Sequence, residues 1–240
     1  MRLENVAFRY RRKDPWVFRD VSLSLAAGTV TEVTGHNGAG KSTLLRVIAG
    51  LRRPRVGAVH GRPSRVGYAP ERFPVDQPFS VRTYLGHMAA IRQVPGDPVA
   101  TWAERLRFDH LLDVRLSELS KGSAQKVGLA QALMADPELL ILDEPFAGLD
   151  AATRDALPEL ISQLAAAGTT VVVSDHQRCI EALPGVDRLR VADASVTRLT
   201  SDTPTTEERV TLEVEVSGDE AESLESKLRA DGYRVRRRER

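Results

Sequence analysis

The nonapeptide Gly35-His36-Asn37-Gly38-Ala39-Gly40-Lys41-Ser42-Thr43 holds the residues best suited to chemistry. Its spacing fits G-x-x-x-x-G-K-[ST], a loop that binds phosphate. The glycines permit backbone turns that a Cβ resists, so amide N–H groups can converge on an anion. The positive end of a following helix adds to that pull. Lys41 then reaches the outer phosphates of a nucleoside triphosphate, and the Ser42 hydroxyl holds Mg²⁺. A second group is Leu139-Leu140-Ile141-Leu142-Asp143-Glu144-Pro145, four apolar residues followed by two carboxylates. It puts Asp143 at the carboxyl end of a buried strand, where ligands of open α/β sheets sit. Asp143 there orients a water on Mg²⁺, and Glu144 polarises an attacking water as general base. A third is Leu119-Ser120-Lys121-Gly122-Ser123, whose Ser and Gly suit a helix N-terminus that receives an anion. His176 follows a second apolar run, Val171-Val172-Val173.

The elements that must position these residues follow from periodicity. Val30-Thr31-Glu32-Val33 reads as a strand, and the segment from Leu44 to Ala49 as a helix stopped by Gly50. Residues 1–25 alternate as two strands, with Val6, Phe8 and Tyr10 on one side and Val21, Leu23 and Leu25 repeating the pattern. Residues 52–61 carry Pro54 and Gly57 and are expected as a loop or short hairpin. Residues 65–69 form a strand stopped by Pro70, and helical spacing then dominates to about residue 136. Residues 153–167 repeat as a helix in which Pro158 predicts a break or a second start. Strands alternating with helices argue for an α/β sheet whose runs at 139–142 and 169–173 are covered on both faces. Residues 200–208 read as a polar linker. After it come a strand from Val210, an amphipathic helix at 219–231 and a strand from Tyr233, a small β-α-β appendage.

Composition narrows the class. The chain has 240 residues, 34 Lys and Arg against 33 Asp and Glu, and a net charge of +1, which gives no bulk attraction to nucleic acid. A lone cysteine, Cys179, excludes an internal disulfide and points to a reducing compartment. No apolar run approaches the roughly 18 residues of a membrane span, and Met1 to Asn5 lack the apolar stretch of a signal peptide. A role at a membrane would place the membrane part on another chain.

Taken in order, these motifs resemble an ATP-binding cassette (ABC) ATPase over residues 1–198. Residues 35–43 resemble its Walker A loop, and Ser120-Lys121-Gly122 its signature loop, which in the family contacts ATP held by the opposite subunit. Asp143 and Glu144 resemble its Walker B aspartate and catalytic glutamate. Ala147-Gly148-Leu149-Asp150 resembles its D-loop, and His176 its γ-phosphate switch. Tyr10 stands where the family keeps an aromatic that stacks on adenine; a tyrosine on an early strand can equally be packing. Glu71, in Val66-Gly67-Tyr68-Ala69-Pro70-Glu71, replaces the usual glutamine of the Q-loop and is expected to ligand Mg²⁺ with Ser42 and Asp143. His36 replaces a frequent proline. Lys121 and Ser123 replace the usual glycine and glutamine, and the lysine resembles multidrug and ABC-2-type exporter cassettes.

The resemblance implies a P-loop NTPase core, its sheet mixed but mainly parallel, with an antiparallel β subdomain and a helical subdomain at about 77–135. A linker at 199–208 and the appendage at 209–240 lie beyond it. It implies ATP and Mg²⁺ as ligands, a second cassette that completes the site, and a separate transmembrane permease. It further implies a peripheral location on the cytoplasmic side of the cell membrane, with transport in the export direction. The alternative is a soluble cassette acting on a non-membrane partner. The 75 residues between Thr43 and Leu119 hold no heptads, which disfavours the coiled-coil DNA-repair type. No Asn-Lys-x-Asp motif suggests a guanine reader.

Overall fold

The apolar runs become the middle of a sheet. Leu139–Asp143 (β6) and Thr170–Ser174 (β7) are buried at every residue, as expected for strands covered on both faces. The computed structural model describes residues 1–199, 216–217, 221–225, 228 and 235. Before β6 and β7 come β1 (Arg2–Phe8), β2 (Phe18–Ser24), β3 (Val30–Thr34), β4 (Val56–His60) and β5 (Val66–Ala69), and after them β8 (Asp187–Ala192) and β9 (Ser195–Leu199). A six-stranded sheet has the order β5-β6-β7-β3-β8-β9. Its strands pair in parallel except β9, which runs antiparallel to β8. A three-stranded antiparallel sheet has the order β2-β1-β4.

The helices are α1 (Lys41–Ala49), α2 (Val81–Ile91), α3 (Pro98–Arg105), α4 (Lys121–Leu133) and α5 (Ala151–Ala166). One buried cluster joins Leu3, Val6 and Phe18 of the antiparallel sheet to Leu44, Leu45 and Ile48 of α1. A second joins Leu85, Val127, Leu129 and Phe146 to Leu140, Val171 and Ile161. Between them the two clusters cover both faces of β6 and β7, which fixes where those strands end and hence where Asp143 and Ser174 stand. The chain divides into two compact units, Met1–Thr200 and Ser201–Arg240. In the second, residues 221–225 and 228 are helical. The expected strands from Val210 and Tyr233 lie outside the described residues.

Two expectations are corrected. Residues 56–60 are a strand paired with β1, not a loop or hairpin. Gly57, at φ 76°, disguises it; a Cβ there would stand 2.3 Å from the carbonyl oxygens of Glu4 and Asn5, so the glycine permits close pairing rather than a turn. Pro158 sits inside an unbroken α5. Its missing donor is outweighed by the buried stripe of Leu157, Leu160 and Ile161 and by a firm start. Asp150 caps the helix, its Oδ1 accepting from the Thr153 amide at 2.9 Å. Among the described residues no helix is long and apolar enough to cross a membrane.

Candidate functional site

The loop after β3 takes the turns that its glycines allow. Gly35, Gly38 and Gly40 have φ of 146°, 83° and 108°. A Cβ on Gly40 would lie 2.5 Å from Val17 Cγ1, and one on Gly35 would lie 2.4 Å from the Val191 carbonyl oxygen. Both substitutions therefore meet a clash as well as a strained backbone. The amides of Gly40, Lys41, Ser42 and Thr43 have no acceptor among the described residues. They are the orphan donors of a helix start, and they suit an anion. Lys41 Nζ donates to the Gly35 carbonyl at 2.9 Å and lies 3.8 Å from Glu144 Oε1. His36 and Asn37 are exposed, with the His36 ring against the Asn37 carbonyl at 2.9 Å. The Ala39 amide closes the turn onto the His36 carbonyl at 3.1 Å.

Asp143 ends β6 with no exposed surface. It accepts from Ser42 Oγ at 3.0 Å, Ser174 Oγ at 3.0 Å and Tyr68 Oη at 3.3 Å. Burial raises its carboxyl above the ordinary range, and the hydroxyl donors offset only part of that. Burial and the Asp143 charge also push the Tyr68 phenol up to about 12. Glu144 turns into the left-handed region at φ 51°. Its amide donates to Ser174 Oγ at 2.9 Å. Its carboxylate shares a hydrogen bond with His176 Nδ1. Asp175, also raised first by burial, accepts from the amides of Gln177 (2.8 Å), Cys179 (2.6 Å) and Ile180 (3.4 Å). That turn presents His176 to Glu144.

Lys41, Ser42, Asp143, Glu144 and His176 are thus gathered at one end of the parallel strands. A Mg²⁺-triphosphate fits this set. Ser42 Oγ and Asp143 are hard oxygen donors already in contact, and Mg²⁺ is usually held by one or two carboxylates plus substrate phosphates. The four orphan amides and Lys41 match the phosphates. Glu71 is exposed and makes no hydrogen bond or ion pair among the described residues, so it is not brought onto Ser42 or Asp143. No group of three His, Cys, Asp or Glu that could hold a metal occurs among the described residues.

Asp143 gives a pH prediction. Its folded carboxyl is raised above the unfolded value, so the folded chain holds more protons across that interval. Asp143 therefore destabilises the ligand-free chain fully above its raised folded value and not at all below the unfolded value of about 3.8. Asp143→Asn, which retains oxygen acceptance, is expected to raise the ligand-free unfolding midpoint at neutral pH. The gain should shrink on acidification. Denaturant titrations at several pH values measure it; a gain independent of pH contradicts the buried charge as its cause.

Ser120, Lys121 and Gly122 do not join this cluster; no hydrogen bond or ion pair links them to residues 35–43 among the described residues. Ser120 caps α4, its Oγ accepting from the Ser123 amide at 3.1 Å. The start of α4 instead packs on the 146–150 loop. A Cβ on Gly122 would stand 2.2 Å from the Gly148 carbonyl oxygen. Lys126, nearly buried, pairs with Asp150 at 2.6 Å and donates to the Arg107 carbonyl at 3.3 Å. Arg154 donates to the Leu149 carbonyl at 3.1 Å. Tyr10 is 46% exposed; its hydroxyl bonds Thr43 Oγ1 at 2.8 Å and its ring meets Phe8 edge-on. It borders the loop.

Sequence reasoning missed Ser174, Tyr68, Asp175 and Lys126. Ser174 had a signal, since it ends an apolar run two residues before His176. Tyr68 and Lys126 had none, because their roles arise from contacts distant in sequence.

A family model described as "ABC transporter" matches residues 18–147. A zinc import ATP-binding protein of Yersinia enterocolitica is 40% identical over 163 residues, covering 67% of this chain and 62% of that protein. Its counterpart in Pseudomonas fluorescens is 40% identical over 170 residues, covering 68% and 62%. The chain thus spans less than two thirds of the length of these relatives. A solved structure described as the ATP binding subunit of an ABC transporter aligns with TM-score 0.75 at 25% identity, covering 84% of this chain and 90% of that one. A dimeric structure of a bacterial ABC transporter cassette, at 22% identity, covers 82% of this chain and 96% of that one with TM-score 0.73, and shares the fold.

Proposed function

This chain belongs to the ABC transporter family, and on that premise we propose that it is the ATP-binding and ATP-hydrolysing subunit of a transporter with its permease on a separate chain. The observation that carries the reading is the split of the machinery. The phosphate loop, Asp143, Glu144 and His176 converge, while Ser120-Lys121-Gly122 stand apart beside residues 146–150. One chain thus offers half of two sites, and two chains closing face to face complete both.

The roles follow from chemistry. Residues 35–43 wrap the phosphates with amides, Lys41 reaches the β- and γ-phosphates, and Tyr10 stacks on the base. Ser42 and Asp143 hold Mg²⁺, with Glu71 able to approach through an oxygen. The bound ion supplies charge neutralisation to the phosphates. Glu144 takes a proton from the attacking water, and His176, fixed by its bond to Glu144, contacts the γ-phosphate. Ser120, Lys121 and Gly122 act on the partner's nucleotide. The gain comes from positioning and electrostatics rather than covalent chemistry.

The cassette comprises residues 1–198 with its helical part at about 77–135; residues 199–208 link it to an appendage at 209–240. The subunit works peripherally on the cytoplasmic side of the cell membrane, most simply as a homodimer. Lys121 in the signature loop supports export. The names of the relatives, zinc import ATP-binding proteins, favour a second reading, import of a metal. ATP-driven accumulation by inside-out vesicles carrying the whole transporter favours export; accumulation only by right-side-out vesicles favours import.

The shared site is tested on the purified chain. ATP turnover per chain is expected to rise steeply with protein concentration. Turnover strictly proportional to enzyme at all concentrations overturns the dimeric site and favours a cassette that acts alone on another partner.

A further inference from the structure

Of the four large hydrophobic side chains exposed within residues 1–199, three lie on two adjoining segments that flank strands of the antiparallel sheet: Tyr10, Leu51 and Val56. The first segment is the β1–β2 loop, residues 9–17, and the second runs from the end of α1 into β4, residues 50–56. Arg55 ties them together. Its amide donates to the Ala7 carbonyl at 2.8 Å, its Nε to the Arg9 carbonyl at 3.2 Å and its Nη2 to the Tyr10 carbonyl at 2.7 Å. The two segments carry Arg9, Arg11, Arg12, Lys13, Arg52, Arg53 and Arg55 against one acid, Asp14. Asp14 is engaged by the Arg11 amide at 2.9 Å, and Arg9 lies over the Trp16 ring at 4.3 Å.

The side chains of Arg11, Arg12, Lys13, Arg52 and Arg53 are exposed and have no partner among the described residues. Crowded like charges repel one another in a chain whose overall charge is only +1. A negatively charged partner relieves that repulsion. Interleaving the cations with solitary apolar side chains and a tryptophan narrows the partner further. It suits a surface with anions on its face and hydrocarbon beneath.

We propose that residues 9–17 and 50–56 form a docking surface for the anionic phospholipid headgroups of a membrane. The arginines and Lys13 meet the phosphates, while Leu51 and Val56 enter the boundary below them. Tyr10 belongs both to this surface and to the edge of the phosphate loop, through its bond to Thr43, so docking sits beside the nucleotide. The proposal does not depend on the transport reading and is tested without a permease.

The probe is co-sedimentation of the full chain with vesicles of phosphatidylcholine alone or mixed with phosphatidylglycerol. Binding is expected only to the mixed vesicles and is expected to weaken as salt rises. Arg11→Glu together with Arg12→Glu and Arg53→Glu should lower partitioning by about 100-fold or more, each cation being worth roughly fivefold near an anionic surface. Nucleotide binding and the unfolding midpoint should be unchanged in that variant. Leu51→Ser with Val56→Ser should weaken binding and leave its salt sensitivity intact. The C-terminal Arg236, Arg237 and Arg238, each changed to Glu, serve as control and should retain binding. Equal binding to both vesicle types overturns the proposal, as does unaltered binding by the loop variant or loss through the tail variant alone. Capture of an acidic peptide without vesicle binding overturns it in favour of a protein partner.

Discussion

Glu144→Gln is expected to lower ATP turnover by about 10²- to 10⁴-fold, the usual contribution of a positioned general base. Nucleotide binding should survive, because the loop amides, Lys41 and Asp143 are untouched. The fold should survive too. Glutamine keeps an oxygen where the Glu144 carboxylate meets His176, and the backbone amide still reaches Ser174. With binding intact and cleavage blocked, two chains closed on ATP cannot reopen by hydrolysis. The variant should elute as a dimer in gel filtration with ATP and Mg²⁺, and as a monomer without them. Turnover within tenfold of the parent removes Glu144 as the base. Lost turnover with only monomer in ATP removes the shared site while leaving the base assignment standing.

Gly122→Ala should be nearly as severe through geometry alone. The added methyl would stand 2.2 Å from the Gly148 carbonyl oxygen, far inside van der Waals contact. Neither side yields easily. Leu149 is held by Arg154, and Asp150 is held by Lys126 and by the start of α5. Overpacking of this kind costs about 1–3 kcal/mol. The start of α4 must shift by about 1 Å or more, and a misplacement of that order can lower a rate about 100-fold. Turnover is expected to fall by at least that factor, with nucleotide affinity in the chain's own loop unchanged. The comparison is Gly86→Ala in α2, where a Cβ meets nothing within 4 Å. There, helix propensity predicts a gain of up to about 1 kcal/mol and normal turnover. Equal outcomes for the two glycines would remove the steric account. Thermal unfolding and steady-state turnover measure both.

The parts of the site legible in the sequence are those built from contiguous residues. The loop at 35–43 declares itself because glycine spacing and Lys-Ser are local requirements, and its three glycines do take positive φ. Asp143 declares itself because an apolar run ending in Asp-Glu-Pro follows a phosphate-binding loop upstream in the same chain. Ser174 was half legible, as the neighbour of His176; its bond to Asp143 needs the parallel register of β6 and β7, which no local pattern encodes. Lys126 reads as an ordinary helix cation, and only the fold brings Asp150 to it. Glu71 was given a metal by analogy of position, yet it stands exposed without a partner among the described residues. In the fold, β4 was hidden by Gly57 and α5 by Pro158, two residues whose local preferences lost to pairing and to burial.

The run from Asp143 to Asp150 is pinned at both ends. Asp143 and Glu144 are moored to Ser174, while Gly148, Leu149 and Asp150 are moored to Gly122, Arg154 and Lys126. Phe146 between them is 1% exposed. Such a stretch is a spacer of set length, whose count is constrained apart from the identities of its residues. A one-residue insertion or deletion there would put either the metal-facing carboxylate or the seat of α4 out of register. Length variants viable in such a chain belong elsewhere, as at the exposed turn around Gly96.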